Sequence, residues 1–203
     1  LHGNGGATQN VLNVMNLPAN GIPDANTDPR IAAMYDCNPD GEYIAYDIRM
    51  TNAEITNLND QKKQEYAQKG LMTSNYFNKI DSLAVAGWAE YQGNENLFGL
   101  WLSAAEVSFS KAEAYLMGYG VAANADLAKS NFITGVEQSC EYYWDQKESS
   151  SLAKEGNDSY YGYRELVRPS TTDITAYAEK IWKPTQEVIC TQLWLNFGYL
   201  DKL

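Results

Sequence analysis

Residues 101–143 read WLSAAEVSFSKAEAYLMGYGVAANADLAKSNFITGVEQSCEYY, and this stretch decides the fold of the chain. Ser103 and Glu106 have the spacing of a helix start, where the Ser oxygen accepts the backbone N–H three residues on and the Glu side chain reaches back. Gly118 tolerates a positive φ and can end that helix. Asn124 is a good N-cap for a second helix. The stretch therefore predicts two consecutive helices.

Each predicted helix has one apolar face that contains small side chains. The apolar positions recur at steps of three and four, which places them on a single side of the helix. They are Ala105, Phe109, Ala112 and Leu116 in the first helix, and Ala128, Phe132, Val136, Cys140 and Tyr143 in the second. The pair Ala128 and Phe132 is typical of the second helix of tetratricopeptide repeats, although the full repeat pattern is absent. We predict an all-α dominated fold with a tetratricopeptide-like helical-hairpin scaffold.

Long irregular loops and one small β-hairpin complete the predicted fold. Residues 1–30 are rich in Asn, Gly and Pro, and residues 146–170 are polar, so both read as loops. The sequence Asn38-Pro39-Asp40-Gly41 has the composition of a type I turn. Because it separates residues 31–37 from residues 42–48, it predicts a β-hairpin.

Three more segments favour helices. Residues 53–69 are polar with a weak apolar face, formed by Ile55, Leu58 and Tyr66. Thr172 is a suitable cap for a helix over residues 173–182. Pro184 is well placed to open a last helix, since proline is tolerated in a first turn.

Charge and hydropathy exclude several classes of protein. The chain carries 26 acidic against 15 basic residues, and its net charge is −11. A phosphate-binding surface for nucleic acid needs clustered Lys and Arg, so we expect no nucleic-acid partner. The apolar runs are too short to span a bilayer, and no signal peptide is visible.

The three cysteines do not form a recognisable redox or metal motif. Cys37, Cys140 and Cys190 are far apart and lack CxxC or metal-ligand spacing. Cys140 and Cys190 fall on apolar helix faces, which predicts buried thiols. A disulfide between these two is left open.

The turn at residues 36–47 imitates a calcium loop. Asp36, Asn38 and Asp40 alternate, Gly41 follows, and Asp47 stands at the twelfth position. Against calcium, Asp is shorter than the usual bidentate Glu, and a proline stiffens the loop. We expect a simple hairpin turn without metal, and calcium remains the alternative.

No motif for catalysis stands out. His2 is the single histidine and precedes every predicted element. No local pattern selects a pair of carboxylates of the kind that glycoside hydrolases use. No phosphate-cradling glycine loop is present. We expect a protein that is not an enzyme and needs no cofactor, and a glycoside hydrolase is the weakest alternative.

Aromatic side chains are the best candidates for ligand contact. The chain has 15 Tyr and 5 Trp, whose flat apolar faces and polar handles suit sugar rings. Aromatic residues in irregular segments face ligands more often than those on helix faces, the alternative being that they fill gaps. The predicted ligand-binding residues are Trp88, Tyr91, Tyr160 and Tyr161. The tryptophans expected in the core are Trp101, Trp144, Trp182 and Trp194.

Three blocks of sequence, in this order, resemble the SusD/RagB family. The first is DPRIAAMYDCNPDGEY at residues 28–43, and the second is AEVSFSKAEAYLMGYG at residues 105–120 with its following helix. The third is ITAYAEKIWKPTQEVICTQLWLNFGYLDKL at residues 174–203, where Leu193 stands in place of the family's usual Lys. The order of the three blocks matches the family across nearly the whole chain, so together they are fairly specific.

The resemblance implies a function that composition alone does not. Proteins of this family are nutrient-binding lipoproteins of the outer membrane in Bacteroidetes-type bacteria, where they capture glycans or peptides over a TonB-dependent transporter and are not enzymes. We expect a lipid-anchored protein on the extracellular face that captures oligosaccharides for uptake through a SusC-like transporter. Alternatives are the same scaffold binding oligopeptides, or a helical-repeat adaptor for another protein.

The resemblance also predicts the extent of the domain. Residues 1–203 correspond to a single domain that forms the C-terminal part of a larger SusD-like domain. The family's lipidated cysteine and several of its N-terminal helix pairs have no counterpart in these residues. The membrane anchor is therefore expected outside this chain.

Overall fold

Helices dominate the chain, as predicted. The computed structural model describes residues 6–47, 49–70, 76–80, 101–149 and 167–197. The helices are α1 (Gln9–Val14), α2 (Ile31–Met34), α3 (Asn52–Gln68), α4 (Ala104–Met117), α5 (Ala125–Glu148), α6 (Thr171–Ile181) and α7 (Gln186–Asn196). The strands are β1 (Tyr35–Asp36) and β2 (Lys79–Ile80).

The chain is divided between two compact units. Unit 1 comprises residues 1–97 and 146–167, and unit 2 comprises residues 98–145 and 168–203. The assignment of residues 1–203 to one part of a larger domain stays a prediction.

The β element of unit 1 differs in position from the predicted hairpin. The turn is present, since the Gly41 N–H donates to the Asn38 oxygen at 2.9 Å and Gly41 has a φ of 82°. However, β1 pairs antiparallel with β2, with Tyr35 opposite Ile80, rather than with residues 42–48. Within that segment, the Glu42 oxygen accepts the Asn38 N–H at 2.9 Å across the turn, and the Tyr43 N–H then donates to the Gly21 oxygen at 2.8 Å.

The residues before β1 form a helix rather than the predicted strand. Ile31–Met34 is the short helix α2, because Pro29 presets a helical φ and two alanines favour a helix. Asp28 and Arg30 lie at its start, are fully buried, and form an ion pair. The Asp28 N–H donates to the Met15 oxygen at 2.8 Å, which ties this segment to the end of α1. The DPR segment is thus a structural junction of unit 1.

Asn78 joins three distant segments of unit 1. Its side chain is completely buried, and its Nδ2 donates to the Ala7 oxygen at 3.2 Å and to the Ile44 oxygen at 2.6 Å. A Cβ at Gly6 would overlap the Asn78 carbonyl oxygen, so this close approach requires glycine. The amide side chain therefore supplies cross-links that the two short strands do not.

Helix α3 confirms the prediction for residues 53–69. It begins with a capping box between Thr51 and Glu54. Tyr66 and Asn59 are its buried residues, and the Asn59 Oδ1 accepts the Tyr76 N–H at 3.0 Å. The buried side of α3 therefore combines a weak apolar face with a hydrogen bond between Asn59 and residue 76.

The predicted helical hairpin is present in unit 2 as α4 and α5. Phe109 meets Phe132 edge-to-face at 5.9 Å between ring centroids, and the Ser108 hydroxyl donates to the Gln138 Oε1 at 2.8 Å. Gly118 caps α4 in the left-handed conformation with a φ of 73°. Helix α5 extends to Glu148, so the loop predicted from residue 146 begins later.

Helices α6 and α7 complete the core of unit 2. Ser170, rather than the predicted Thr172, caps α6, because its hydroxyl and the Asp173 carboxylate form a capping box. Pro184 lies just before Thr185, which caps α7. The buried cluster consists of Ala105, Phe109, Ala112, Phe132, Val136, Cys140, Ile174, Tyr177, Ala178 and Ile189.

Helices α4 and α7 run antiparallel. At one end the Asn196 Nδ2 donates to the Ser103 Oγ at 3.0 Å, and at the other the Gln186 amide donates to the Glu113 carboxylate. The Tyr143 hydroxyl of α5 donates to the Asn196 carbonyl oxygen at 2.8 Å. The start of α4 and the end of α7 are therefore held together by a buried network.

The cysteines follow the prediction in part. Cys140 is buried, as predicted, whereas Cys190 is exposed on α7. The three cysteines, all of which lie in described segments, form no disulfide.

Candidate functional site

The four predicted ligand-binding aromatics lie outside the described residues. They are Trp88, Tyr91, Tyr160 and Tyr161. Their contact with a ligand stays a prediction. A candidate surface within the described segments has to come from other side chains.

Two tryptophans expected in the core are exposed instead. Trp101 is 95% exposed and Trp194 is 52% exposed, so their assignment to the core is wrong. The assignment is right for Trp144, which is buried, and for Trp182, which packs against Phe132 at 4.9 Å between ring centroids. The sequence therefore did not reveal that Trp101 and Trp194 are exposed.

The sequence pattern of α7 explains why Trp194 is exposed. Its buried residues are Ile189, Gln192, Leu195 and Asn196. Glu187, Cys190 and Trp194 recur at steps of three and four and are exposed. Because Glu187 is charged and therefore favours water, its face of the helix could have been predicted as the solvent-exposed side of α7. Trp101 offers no such signal, since it precedes the helix.

Trp101 and Trp194 lie at the same end of the antiparallel α4–α7 pair, where Ser103 and Asn196 are hydrogen-bonded. Trp101 lies two residues before Ser103, and Trp194 lies two residues before its hydrogen-bond partner Asn196. Leu102, between Trp101 and the helix cap, is 58% exposed.

The sequence around both tryptophans carries no charge. No Asp, Glu, Lys or Arg occurs in residues 96–105 or in residues 188–200, although the chain as a whole has a net charge of −11. An indole offers a flat apolar face and one N–H donor. Chemically, an exposed indole can stack against the apolar face of a ring-shaped ligand.

The aromatic ring of Tyr66, in unit 1, is buried and contributes to packing rather than to a binding surface. The Tyr66 hydroxyl donates to the Asp40 Oδ2 at 3.2 Å, and the Lys69 Nζ lies 5.7 Å from the Tyr66 ring centroid. Burial, with the neighbouring Asp40 carboxylate, raises the pKa of Tyr66 well above its usual value. The Tyr66 ring is 1% exposed and therefore offers no face for stacking.

The side chains of the calcium-like turn are used within the protein. The Asn38 Oδ1 accepts the N–H groups of Asp40 and Glu42, each at 3.0 Å. The Asp47 carboxylate pairs with Arg49. Within the described ranges, no group of three His, Cys, Asp or Glu side chains could hold a metal ion. These bonds describe a closed turn at Asn38–Glu42, and calcium binding there stays an untested alternative.

Comparison with known proteins gives one kind of match. Residues 20–202 match the model of a SusD-like family described as starch-binding and associating with the outer membrane. No curated protein and no solved structure matches the chain. Within the segments described above, no helix has the length and apolar character needed to cross a membrane.

Proposed function

This chain belongs to the SusD-like family of starch-binding proteins associated with the outer membrane, and we propose that it captures oligosaccharides for import. The observation that carries the proposal is the family match, which extends over residues 20–202. Proteins of this family bind carbohydrate at the cell surface and are generally not catalytic. The chemistry of the chain fits this role, since stacking on aromatic rings needs no titrating catalytic group.

The proposed route of import has two further parts. A lipid anchor outside this chain would hold the protein on the extracellular face of the outer membrane. The bound oligosaccharide would pass to a SusC-like TonB-dependent transporter. Co-purification of such a transporter with the tagged protein from outer-membrane extracts tests this partner, and its absence from a cross-linked sample would contradict it.

We further propose that the predicted aromatic residues contact the ligand. They are Trp88, Tyr91, Tyr160 and Tyr161. Each would contribute a stacking face, so replacing each by Ala should weaken oligosaccharide binding. The buried Trp144 provides a contrast, because its replacement should lower stability rather than act on the ligand directly.

Calorimetric titration tests the proposed function. We expect heat of binding with starch-derived maltooligosaccharides or another neutral oligosaccharide, and none with a matched set of oligopeptides. Chromatography of the incubated sugars should show no cleavage. Binding of peptides alone would favour the oligopeptide alternative, and recovery of a soluble protein partner without sugar binding would favour the adaptor. Turnover that one carboxylate substitution abolishes would point to a hydrolase.

A further inference from the structure

We infer that the connection between α4 and α5 contacts the lipid surface of a membrane. This segment, residues 117–127, is called the α4–α5 tip. The inference goes beyond the proposed function, because it concerns how the protein lies against the membrane and not which ligand it captures. It shares with that proposal only the association with the outer membrane.

The α4–α5 tip leaves large apolar side chains in water. Every residue from 119 to 127 is exposed. The large apolar side chains exposed at the tip are Met117, Tyr119, Val121 and Leu127. Single exposed apolar residues are ordinary, whereas several within so short a segment form a patch of the kind that marks contact with another molecule.

Backbone hydrogen bonds keep the tip at one end of the helical hairpin. The Tyr119 N–H donates to the Ala114 oxygen at 2.9 Å. The Asn124 N–H donates to the Tyr115 oxygen at 2.9 Å, and the Asn124 side chain accepts the Leu127 N–H at 3.0 Å. The connection is therefore closed on the last turn of α4. A surface that is already ordered in this way loses little conformational entropy on contact.

The tip lacks the charge that dominates the chain as a whole. No Asp, Glu, Lys or Arg occurs in residues 114–125, although the net charge is −11. An uncharged apolar patch can enter the interface of a bilayer without stripping water from an ionised group. Asp126, in the first turn of α5, sets the limit of the contact, because its carboxylate has to stay hydrated.

The size of the patch favours lipid over a folded protein partner. From their exposed fractions, the four apolar side chains present on the order of 400 Å², whereas each partner of a specific protein interface buries roughly 800 Å². A lipid surface sets no such minimum, because the strength of the contact grows with the apolar area buried. Tyrosine is also typical of the boundary between lipid and water, where its ring lies among the headgroups and its hydroxyl stays hydrated.

A contact of this size orients the protein rather than anchoring it. Weak attachment to a bilayer becomes stable when a second attachment acts on the same molecule. The lipid anchor proposed above would be that second attachment. The tip would then determine which side of unit 2 faces the bilayer.

Co-flotation with phosphatidylcholine vesicles in a sugar-free gradient tests the inference. The wild type should float with the vesicles, and Tyr119→Ser, Val121→Ser and Leu127→Ser should each weaken the partition about fivefold. The triple variant should not float. Ile22→Ser is the matched control, because Ile22 lies in unit 1 and is 42% exposed, as are Val121 and Leu127. It should float as the wild type does, and the melting temperature should be unchanged in all variants.

Lipid charge provides a second measurement. Vesicles made of equal parts of phosphatidylcholine and phosphatidylglycerol should bind the wild type more weakly than pure phosphatidylcholine at low salt, because a net charge of −11 is repelled by anionic lipid. Screening at about 150 mM NaCl should remove most of this difference. Tighter binding to the anionic vesicles would overturn the inference, since it would require a basic contact surface instead of the tip.

Other results would also overturn the inference. They are failure of the wild type to float, and equal flotation of the wild type and the triple variant. So would a triple variant that floats but has lost a dimer in sedimentation velocity, or that floats but no longer captures a protein from outer-membrane extracts. Loss of maltoheptaose binding in the triple variant would assign the tip to the ligand instead. A wild type that floats through its tip but binds no oligosaccharide would refute the proposed function and leave this inference standing.

Discussion

Two neighbouring tyrosines of α5 show how much a single hydroxyl depends on its surroundings. The Tyr143 hydroxyl donates to the Asn196 carbonyl oxygen, whereas the Tyr142 hydroxyl is buried without a hydrogen-bond partner among the described residues. Burial raises the pKa of Tyr142. The two rings contact each other edge-to-face at 5.4 Å between centroids.

This difference predicts opposite effects of the same substitution. Tyr143→Phe should lower the free energy of unfolding by about 1–2 kcal/mol, because it leaves the Asn196 carbonyl without its donor. Tyr142→Phe should leave the free energy of unfolding unchanged or raise it by up to about 1 kcal/mol, since it removes an unpaired polar group. Urea unfolding followed by circular dichroism measures both. A larger loss in Tyr142→Phe than in Tyr143→Phe would contradict the assigned bonds.

The exposed pair Asp47 and Arg49 gives a residue-level prediction about pH. Hydrogen bonds from Arg49 lower the pKa of Asp47 to about 2. An NMR titration of the carboxyl carbon should show this midpoint, and Arg49→Gln should raise the pKa towards the ordinary value of 3.8. A lowered pKa favours the folded state above the unfolded pKa, and that benefit disappears as the pH falls through the folded value. Because both side chains are solvated, the free energy of unfolding should change little.

At the scale of elements, the contact between α4 and α5 depends on a missing side chain. Gly135 lies in the interior of α5, where glycine normally weakens a helix. A Cβ at this position would lie 2.7 Å from ring atoms of Phe109, which is closer than packed atoms allow. The helices approach closely because residue 135 has no side chain.

Gly135→Ala should therefore destabilise the protein even though alanine is the better helix former. We expect the free energy of unfolding to fall by about 1–3 kcal/mol, the usual cost of overpacking. Ser130→Ala is the matched control, because Ser130 is exposed on the same helix. That change should be neutral or raise the free energy of unfolding by a few tenths of a kcal/mol. Stabilisation by both substitutions would contradict the close packing at Phe109.

At the scale of the whole molecule, charge is the dominant property. The net charge is −11, and most of the ion pairs found in the described residues are exposed. The pair between Asp28 and Arg30 differs, because both side chains are fully buried and shielded from salt. Self-repulsion of the acidic surface should therefore act against the folded state at low ionic strength.

Adding salt should stabilise the protein. We expect the melting temperature to rise by a few degrees from about 10 mM to about 150 mM NaCl, since the Debye length shortens from about 30 Å to about 8 Å. KCl should act equally, because screening does not depend on the ion. A falling melting temperature would show instead that the exposed ion pairs outweigh the repulsion.

The predictions that were right concern features encoded by neighbouring residues. The α4–α5 hairpin was predictable because its helices begin and end at capping residues whose hydrogen-bond partners are only three or four positions away. These capping residues are Ser103, Gly118 and Asn124. The turn at Asn38–Gly41 was predictable for the same reason. Of the candidate site, the sequence indicated aromatic stacking as the chemistry, but it placed Trp101 and Trp194 in the core.

The sequence by itself determined the helix-rich architecture and the SusD-like family, since caps, glycine ends, apolar periods and ordered motifs are local. Only the tertiary structure decided three other features: the pairing of β1 with β2, the burial of Asn78, and the exposure of Trp101 and Trp194. The physical reason is that pairing and exposure depend on which distant segments arrive at a surface. The identity of an apolar residue does not reveal whether another element buries its side chain or leaves it exposed to water.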